Sequence, residues 1–102
     1  RYAAERDVVY INHTFTSNLA LSASIQPYAG LQNHKICEYP TGLSALAREL
    51  TITQIAPNAN GEIELPDAPG LGIEPNLEAL ETYRVDVDIR INGERVFQSP
   101  RI

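Results

Sequence analysis

Apolar residues change rhythm several times along the chain, and each rhythm predicts a different element. Residues 8–12, Val-Val-Tyr-Ile-Asn, are β-branched or aromatic almost without interruption, which is the pattern of a strand covered on both faces, as in a parallel sheet. Residues 35–39, Lys-Ile-Cys-Glu-Tyr, repeat it, and Pro40 stops the run because it has no N–H for a ladder. Between the two, Thr16 or Ser17 offers an N-cap hydroxyl to a helix over residues 18–26. Leu19, Ala20, Leu21, Ala23 and Ile25 cover so much of its circumference that a largely buried helix is expected, ended by Pro27 and Gly30. Strand, helix and strand then form one βαβ unit, and its right-handed crossover makes the two strands parallel.

The pattern differs after Pro40. Leu43, Leu46, Ala47 and Leu50 follow an i, i+3, i+4, i+7 spacing, so residues 43–50 read as a short amphipathic helix. Residues 51–55 and 62–65 have strand composition and flank a turn at Asn58-Ala59-Asn60-Gly61, which predicts a hairpin. Pro66-Asp67-Ala68-Pro69-Gly70-Leu71-Gly72 is a stiff irregular loop, with prolines fixing φ and glycines permitting tight turns. Asn76 can cap a helix over residues 77–83. Val85, Val87, Ile89 and Ile91 then alternate with Asp86, Asp88, Arg90 and Asn92, a strand with one apolar and one wet face. Asn92-Gly93 is the favoured type I′ pair, and residues 94–98 return antiparallel. At the other end, residues 1–7 have the composition of a helix's last turns. Two regions follow from this reading, 1–50 with the βαβ character and 51–102 with the β-rich character.

Composition narrows the setting. With 102 residues, 43% hydrophobic and 21% charged, the chain is one ordinary globular domain or less. A net charge of -5 with eight Lys and Arg scattered along the chain argues against a nucleic-acid partner. No apolar run approaches the ~20 residues that span a bilayer, so no membrane partner is expected. The single Cys37 excludes an internal disulfide and any cysteine-cluster metal site, which points to a reducing, cytoplasmic setting. The sequence has no Met, and the expectation drawn from this is that it forms the tail of a longer polypeptide.

The candidate chemistry sits at the ends of the first two strands. His13 would follow the first and Glu38 would close the second, so both are expected on one rim, the edge where α/β proteins bind ligands. A base titrating near ~6.5 beside a carboxyl group can transfer protons. A histidine at a strand end is also compatible with a purely structural, hydrogen-bonded role. His34, among polar loop residues, reads as plain surface. Asp86 and Asp88 share a wet face with no third carboxylate or histidine in register, so no metal ligand is assigned to them.

The run Asn60-Gly61-Glu62-Ile63-Glu64-Leu65-Pro66-Asp67-Ala68-Pro69-Gly70-Leu71-Gly72-Ile73-Glu74, followed by a short helix, resembles the C-terminal signature of the mandelate racemase and muconate lactonizing group of the enolase superfamily. Upstream, His13-Thr14-Phe15, the helix around residues 19–25 and Ile36-Cys37-Glu38-Tyr39 are similar to that group's seventh strand, seventh helix and eighth strand. The resemblance implies an α/β fold. Residues 1–50 would be the end of a (β/α)7β TIM-like barrel, carrying its last two strands. Residues 51–102 would be the C-terminal, β-rich part of an α+β capping domain.

It also implies a role for each rim residue. His13 would act as general base or acid at the carbon next to a substrate carboxylate, and Glu38 would donate a hydrogen bond to that carboxylate as it gains enediolate character. The cofactor would be Mg²⁺, with its ligands outside this chain. The partners would be the upstream portion of the same polypeptide and a small carboxylate substrate of the acid-sugar type, within a homo-oligomeric enzyme. Two barrel strands cannot close a sheet, so these residues alone are expected to be inactive. The competing reading is a non-enzymatic β-rich interaction domain, in which His13 and Glu38 are structural and the terminal hairpin binds a partner along its edge.

Overall fold

The computed structural model describes residues 1–31 and 36–100. Among the described residues three α-helices and one two-stranded antiparallel sheet are joined by long irregular segments: α1 (Asn18–Ile25), α2 (Ala45–Glu49), α3 (Leu77–Tyr83), β1 (Asp88–Ile91) and β2 (Glu94–Gln98). Short 3₁₀ turns occupy Ala4–Arg6 and Gln26–Gly30. The chain is thus a small α/β structure. It extends 56 × 33 × 26 Å with a radius of gyration of 17.8 Å, against ~13 Å for a compact domain of this length.

Each helix starts where a side chain can replace the missing intrahelical acceptor. Ser17 takes the Ala20 N–H for α1, Ser44 the Ala47 N–H for α2, and Asn76 the Ala79 N–H for α3. Pro27 does not end the helical path at once; it is tolerated at the second position of the 3₁₀ turn, which carries the chain on to Gly30. The helix expected over 43–50 is confined to Ala45–Glu49, and the helical turns expected over residues 1–7 reduce to the 3₁₀ turn at Ala4–Arg6. Burial on α1 is one-sided: Asn18, Leu21, Ser22 and Ile25 are buried while Ala23 is exposed, so the helix presents a stripe rather than a fully covered surface.

Leu21, Ile25 and Ile55 form the core cluster, with Tyr28, Tyr39, Ile63, Leu65 and Ile73 packed around it. Buried polar residues are as prominent as buried apolar ones. Asn18 spends its whole amide on the segment after α2: Nδ2 donates to Thr51 Oγ1 at 3.2 Å and Gln54 Oε1 at 2.9 Å, and Oδ1 accepts from the Ile55 N–H at 3.1 Å. Ser22 donates to the Leu71 carbonyl at 2.6 Å, fastening α1 to the Pro66–Gly72 loop. In that loop Gly72 has φ +64°, and a Cβ there would collide with the Pro66 ring, so hydrogen alone fits.

Two expected strand pairs do not form ladders. Neither residues 8–12 nor residues 36–39 are in a strand; Lys35 lies outside the described residues. Their backbone groups bond to side chains instead. The Asn12 N–H donates to Tyr28 Oη and the Asn12 amide takes both polar groups of the Glu38 peptide, which leaves no ladder to build. Val8, Val9 and Ile11 stay exposed. The hairpin expected from residues 51–55 and 62–65 is also absent. Thr51 bridges Pro75, the Ile52 N–H donates to the Glu74 carbonyl and the Asn76 N–H to the Leu50 carbonyl. The turn between them does form, because Asn58 Oδ1 accepts from the N–H groups of Asn60 and Glu62.

The terminal hairpin forms with the expected turn, Asn92 and Gly93 having φ values of 51° and 85° as type I′ requires. Pairing begins at Asp88 rather than Val85, and the register shifts after Ile89↔Phe97 to Arg90↔Arg95, so Val96 is the extra residue of a bulge. Its expected apolar face is open to solvent: Ile89, Ile91, Val96 and Phe97 are all exposed.

Replacing Asn18 with Leu keeps the volume but orphans the Ile55 N–H, and should destabilise the protein by about 2–3 kcal/mol in urea unfolding; an unchanged midpoint would show the amide to be dispensable. A second expected outcome concerns Tyr83, whose hydroxyl donates to Glu49 Oε2 at 2.6 Å and ties α3 to α2. That bond to the Glu49 carboxylate holds the Tyr83 phenol above its usual pKa. The folded state therefore keeps the proton more tightly than the unfolded chain. The stabilisation is complete below the ordinary phenol range and is lost as pH climbs through the raised value. Ultraviolet titration should show Glu49→Gln bringing Tyr83 back toward the ordinary range.

Candidate active site

His13 and Glu38 meet. Their Nδ1 and Oε2 atoms are 2.7 Å apart, although 25 residues separate them in sequence. Phe15 stands edge-on to the imidazole, with ring centroids 4.9 Å apart and planes at 75°, and covers a second side of it. The rest of the pair is wet: 80% of the His13 side chain and 44% of the Glu38 side chain are accessible. A contact so exposed contributes at most ~1 kcal/mol, with the imidazole charged or neutral. It cannot hold the two segments together by itself.

The elements beneath it do. Asn12, 2% exposed, donates from Nδ2 to the Glu38 carbonyl at 3.0 Å and accepts the Glu38 N–H on Oδ1 at 3.0 Å. Tyr28, in the 3₁₀ turn after α1, places its hydroxyl 3.1 Å from the Asn12 backbone nitrogen, 3.2 Å from Asn12 Oδ1 and 3.0 Å from the Ile36 carbonyl. Tyr10 donates to the Ser24 carbonyl and packs its ring 5.3 Å from that of Tyr28. The backbone before His13 is thereby bolted to α1 and to the segment that carries Glu38.

The contact determines what the imidazole can do. With Glu38 ionised, Oε2 can only accept, so a neutral His13 carries its proton on Nδ1 and presents Nε2 as the basic lone pair. Nδ1 is directed to the carboxylate, which leaves Nε2 for chemistry. The resemblance gives Glu38 to a substrate carboxylate; in this chain its Oε2 lies against His13 Nδ1.

Concavity and chemistry are separate. A hollow of about 380 Å³ is lined by Ile25, Tyr28, Ile36, Cys37, Gly61, Glu62, Ile63 and Leu65, and by neither His13 nor Glu38. Cys37 is half-buried there as a free thiol. Asp88 is engaged by Arg90 and Arg95, and Asp86 by Arg84. Among the described residues no three His, Cys, Asp or Glu side chains converge on a point that could hold a metal, and no helix is long and apolar enough to cross a membrane. His34 lies outside the described residues. Sequence reasoning missed Asn12 and Tyr28. An amide ending an otherwise apolar run was the available signal, because such a group needs partners wherever it is buried.

Residues 1–80 match the family described as enolase C-terminal domain-like. A solved structure, described as the crystal structure of a predicted mandelate racemase from Rhodobacter sphaeroides, is 48% identical with a TM-score of 0.89 over 98% of this chain. The match covers 26% of that protein's chain, so the present chain spans about a quarter of its relative's length. No curated protein matches significantly. The family match extends over most of the residues and includes both His13 and Glu38, and the structural likeness runs through the terminal hairpin: the chain belongs to the enolase C-terminal domain-like family and is related to mandelate racemase.

Proposed function

We propose that this chain supplies one catalytic rim of an enzyme that abstracts the proton next to a carboxylate, a dehydratase or racemase of acid-sugar-type substrates. The observation that supports this is the 2.7 Å His13–Glu38 contact, in a chain of a family that includes such enzymes. His13 Nε2 takes the proton from the carbon adjacent to the carboxylate. The electron pair left behind moves into the carbon–carboxylate bond, and negative charge builds on the carboxylate oxygens. Glu38 has its Oε1 oxygen outside the contact with His13 and, when protonated, donates a hydrogen bond to one of them. Protonation of the opposite face of that carbon, by a group outside this chain, completes racemisation; loss of a neighbouring hydroxyl as water, with its proton supplied by the His13 imidazolium, completes dehydration.

The remainder of the reading concerns the larger polypeptide. Residues 1–50 would belong to the end of a (β/α)7β barrel, in which residues 8–12 and 36–39 acquire the strand neighbours they lack, and residues 51–102 to a capping domain. Exposure of Val8, Val9 and Ile11 and of the hairpin's apolar residues fits that placement. The family implies Mg²⁺, but the described residues offer no cluster that fits it, and the roles above belong to side chains alone. These 102 residues by themselves are expected to be inactive.

The test is exchange of the α-proton of acid-sugar carboxylates in deuterated water, catalysed by the intact enzyme. His13→Asn preserves much of the shape and removes the titratable nitrogen, so exchange should fall by ~10²-fold or more. Glu38→Gln should be milder, because an amide still donates a hydrogen bond. Undiminished exchange in His13→Asn would remove the histidine from its role.

A further inference from the structure

We propose that Asn92-Gly93, at the tip of the terminal hairpin, is a site of spontaneous backbone modification, where the asparagine closes on the glycine nitrogen to a succinimide and opens to aspartate or isoaspartate. The rim residues take no part in it.

The asparagines of this chain divide by what their amides do. Asn12, Asn18, Asn58 and Asn76 spend theirs on hydrogen bonds, and each is followed by a residue whose side chain crowds the next nitrogen. Asn60 and Asn92 do neither. Both are exposed, neither side-chain amide is hydrogen-bonded among the described residues, and both precede a glycine, which has no Cβ to shield its nitrogen from the neighbouring amide carbon.

The glycine nitrogen separates the two. The Gly61 N–H donates to the Asn58 carbonyl at 2.9 Å, and the Asn60 N–H to Asn58 Oδ1 at 2.9 Å, so the peptide groups on both sides of Asn60 are held in their turn. A nitrogen whose proton is engaged in this way must first be released before it can attack. In the terminal hairpin the two-residue turn is closed between Ile91 and Glu94, and the Gly93 N–H has no hydrogen bond among the described residues. It lies outside the ladder.

The chemistry needs only water and base. The Gly93 nitrogen yields its proton to hydroxide and bonds to Cγ of Asn92; the Cγ–Nδ2 bond breaks, and the nitrogen takes up a proton and leaves as ammonia. Water then opens the ring at either carbonyl. Opening at Cγ gives aspartate, which also suits the first position of a type I′ turn. Opening at the original main-chain carbonyl carries the backbone through Cβ and Cγ, and isoaspartate adds a methylene to the span between Ile91 and Glu94. The tight turn that sets the hairpin's register is then lost.

The experiment ages the intact, folded enzyme in mildly alkaline buffer and follows its tryptic peptides by mass spectrometry. Cleavage after Arg90 and Arg95 isolates Asn92 in residues 91–95, and cleavage after Arg48 and Arg84 leaves Asn60 in residues 49–84. Residues 91–95 should gain the mass difference between a hydroxyl and an amino group, and become a substrate for isoaspartyl methyl transfer, roughly fivefold or more faster than Asn60 reacts, the factor carried by one net backbone hydrogen bond. In urea the preference for Asn92 should disappear, because the fold and not the local sequence holds Gly61. Asn92→Gln, which would need a larger ring, should leave residues 91–95 unchanged and α-proton exchange at the parent level. An unmodified Asn92, equal or faster reaction at Asn60 in the folded enzyme, or a preference that persists in urea would overturn the proposal.

Discussion

A backbone N–H or carbonyl withdrawn from water must find a partner, and over most of this chain no ladder provides one. Asparagine amides take that place. Asn12 serves the Glu38 peptide, Asn18 the Ile55 N–H, Asn58 the N–H groups of Asn60 and Glu62, and Asn76 the first turn of α3. The amide suits the task because it repeats the donor and acceptor of a peptide at the end of a short stem. Among the described residues the fully buried core cluster is Leu21, Ile25 and Ile55, and these directed bonds help to decide which segments meet.

This explains what could be read from residues alone. The caps at Ser17 and Asn76 and the Asn92-Gly93 turn were legible because each depends on atoms a few positions away. The nearness of His13 and Glu38 was legible from their order around one helix. Strand character was legible in the terminal hairpin, whose partner follows after two residues, and not elsewhere. Residues 8–12 and 51–55 have strand composition, but a strand is a property of a pair, and the partner depends on atoms far along the chain. Thr51 carries no mark that names Pro75 rather than a residue of 62–65. Gln54 contributed to the outcome by folding its amide back onto the carbonyls of Arg48 and Thr51, which keeps this stretch from running straight.

Site and family support each other at different levels. Membership follows from the match over residues 1–80 and from the likeness to the mandelate racemase relative. The site adds geometry: an ionised Glu38 carboxylate on Nδ1 leaves Nε2 of a neutral His13 as its accepting nitrogen. The hollow beside Cys37 shares neither residue of the pair, which stands on an exposed edge rather than on the floor of that pocket.

The pair of hydrogen bonds from Asn12 to Glu38 also has a cost in chain entropy. It joins residues 26 apart and the Asn18 bond to Ile55 joins residues 37 apart, whereas the terminal hairpin closes through a two-residue turn. Loop closure grows only logarithmically with length, but it must be met before a distant contact returns anything. Order at the rim is consequently more conditional than order at the hairpin: the hairpin can persist on local contacts, while the alignment of His13 with Glu38 exists only when α1 and the segments on either side of it are already in place.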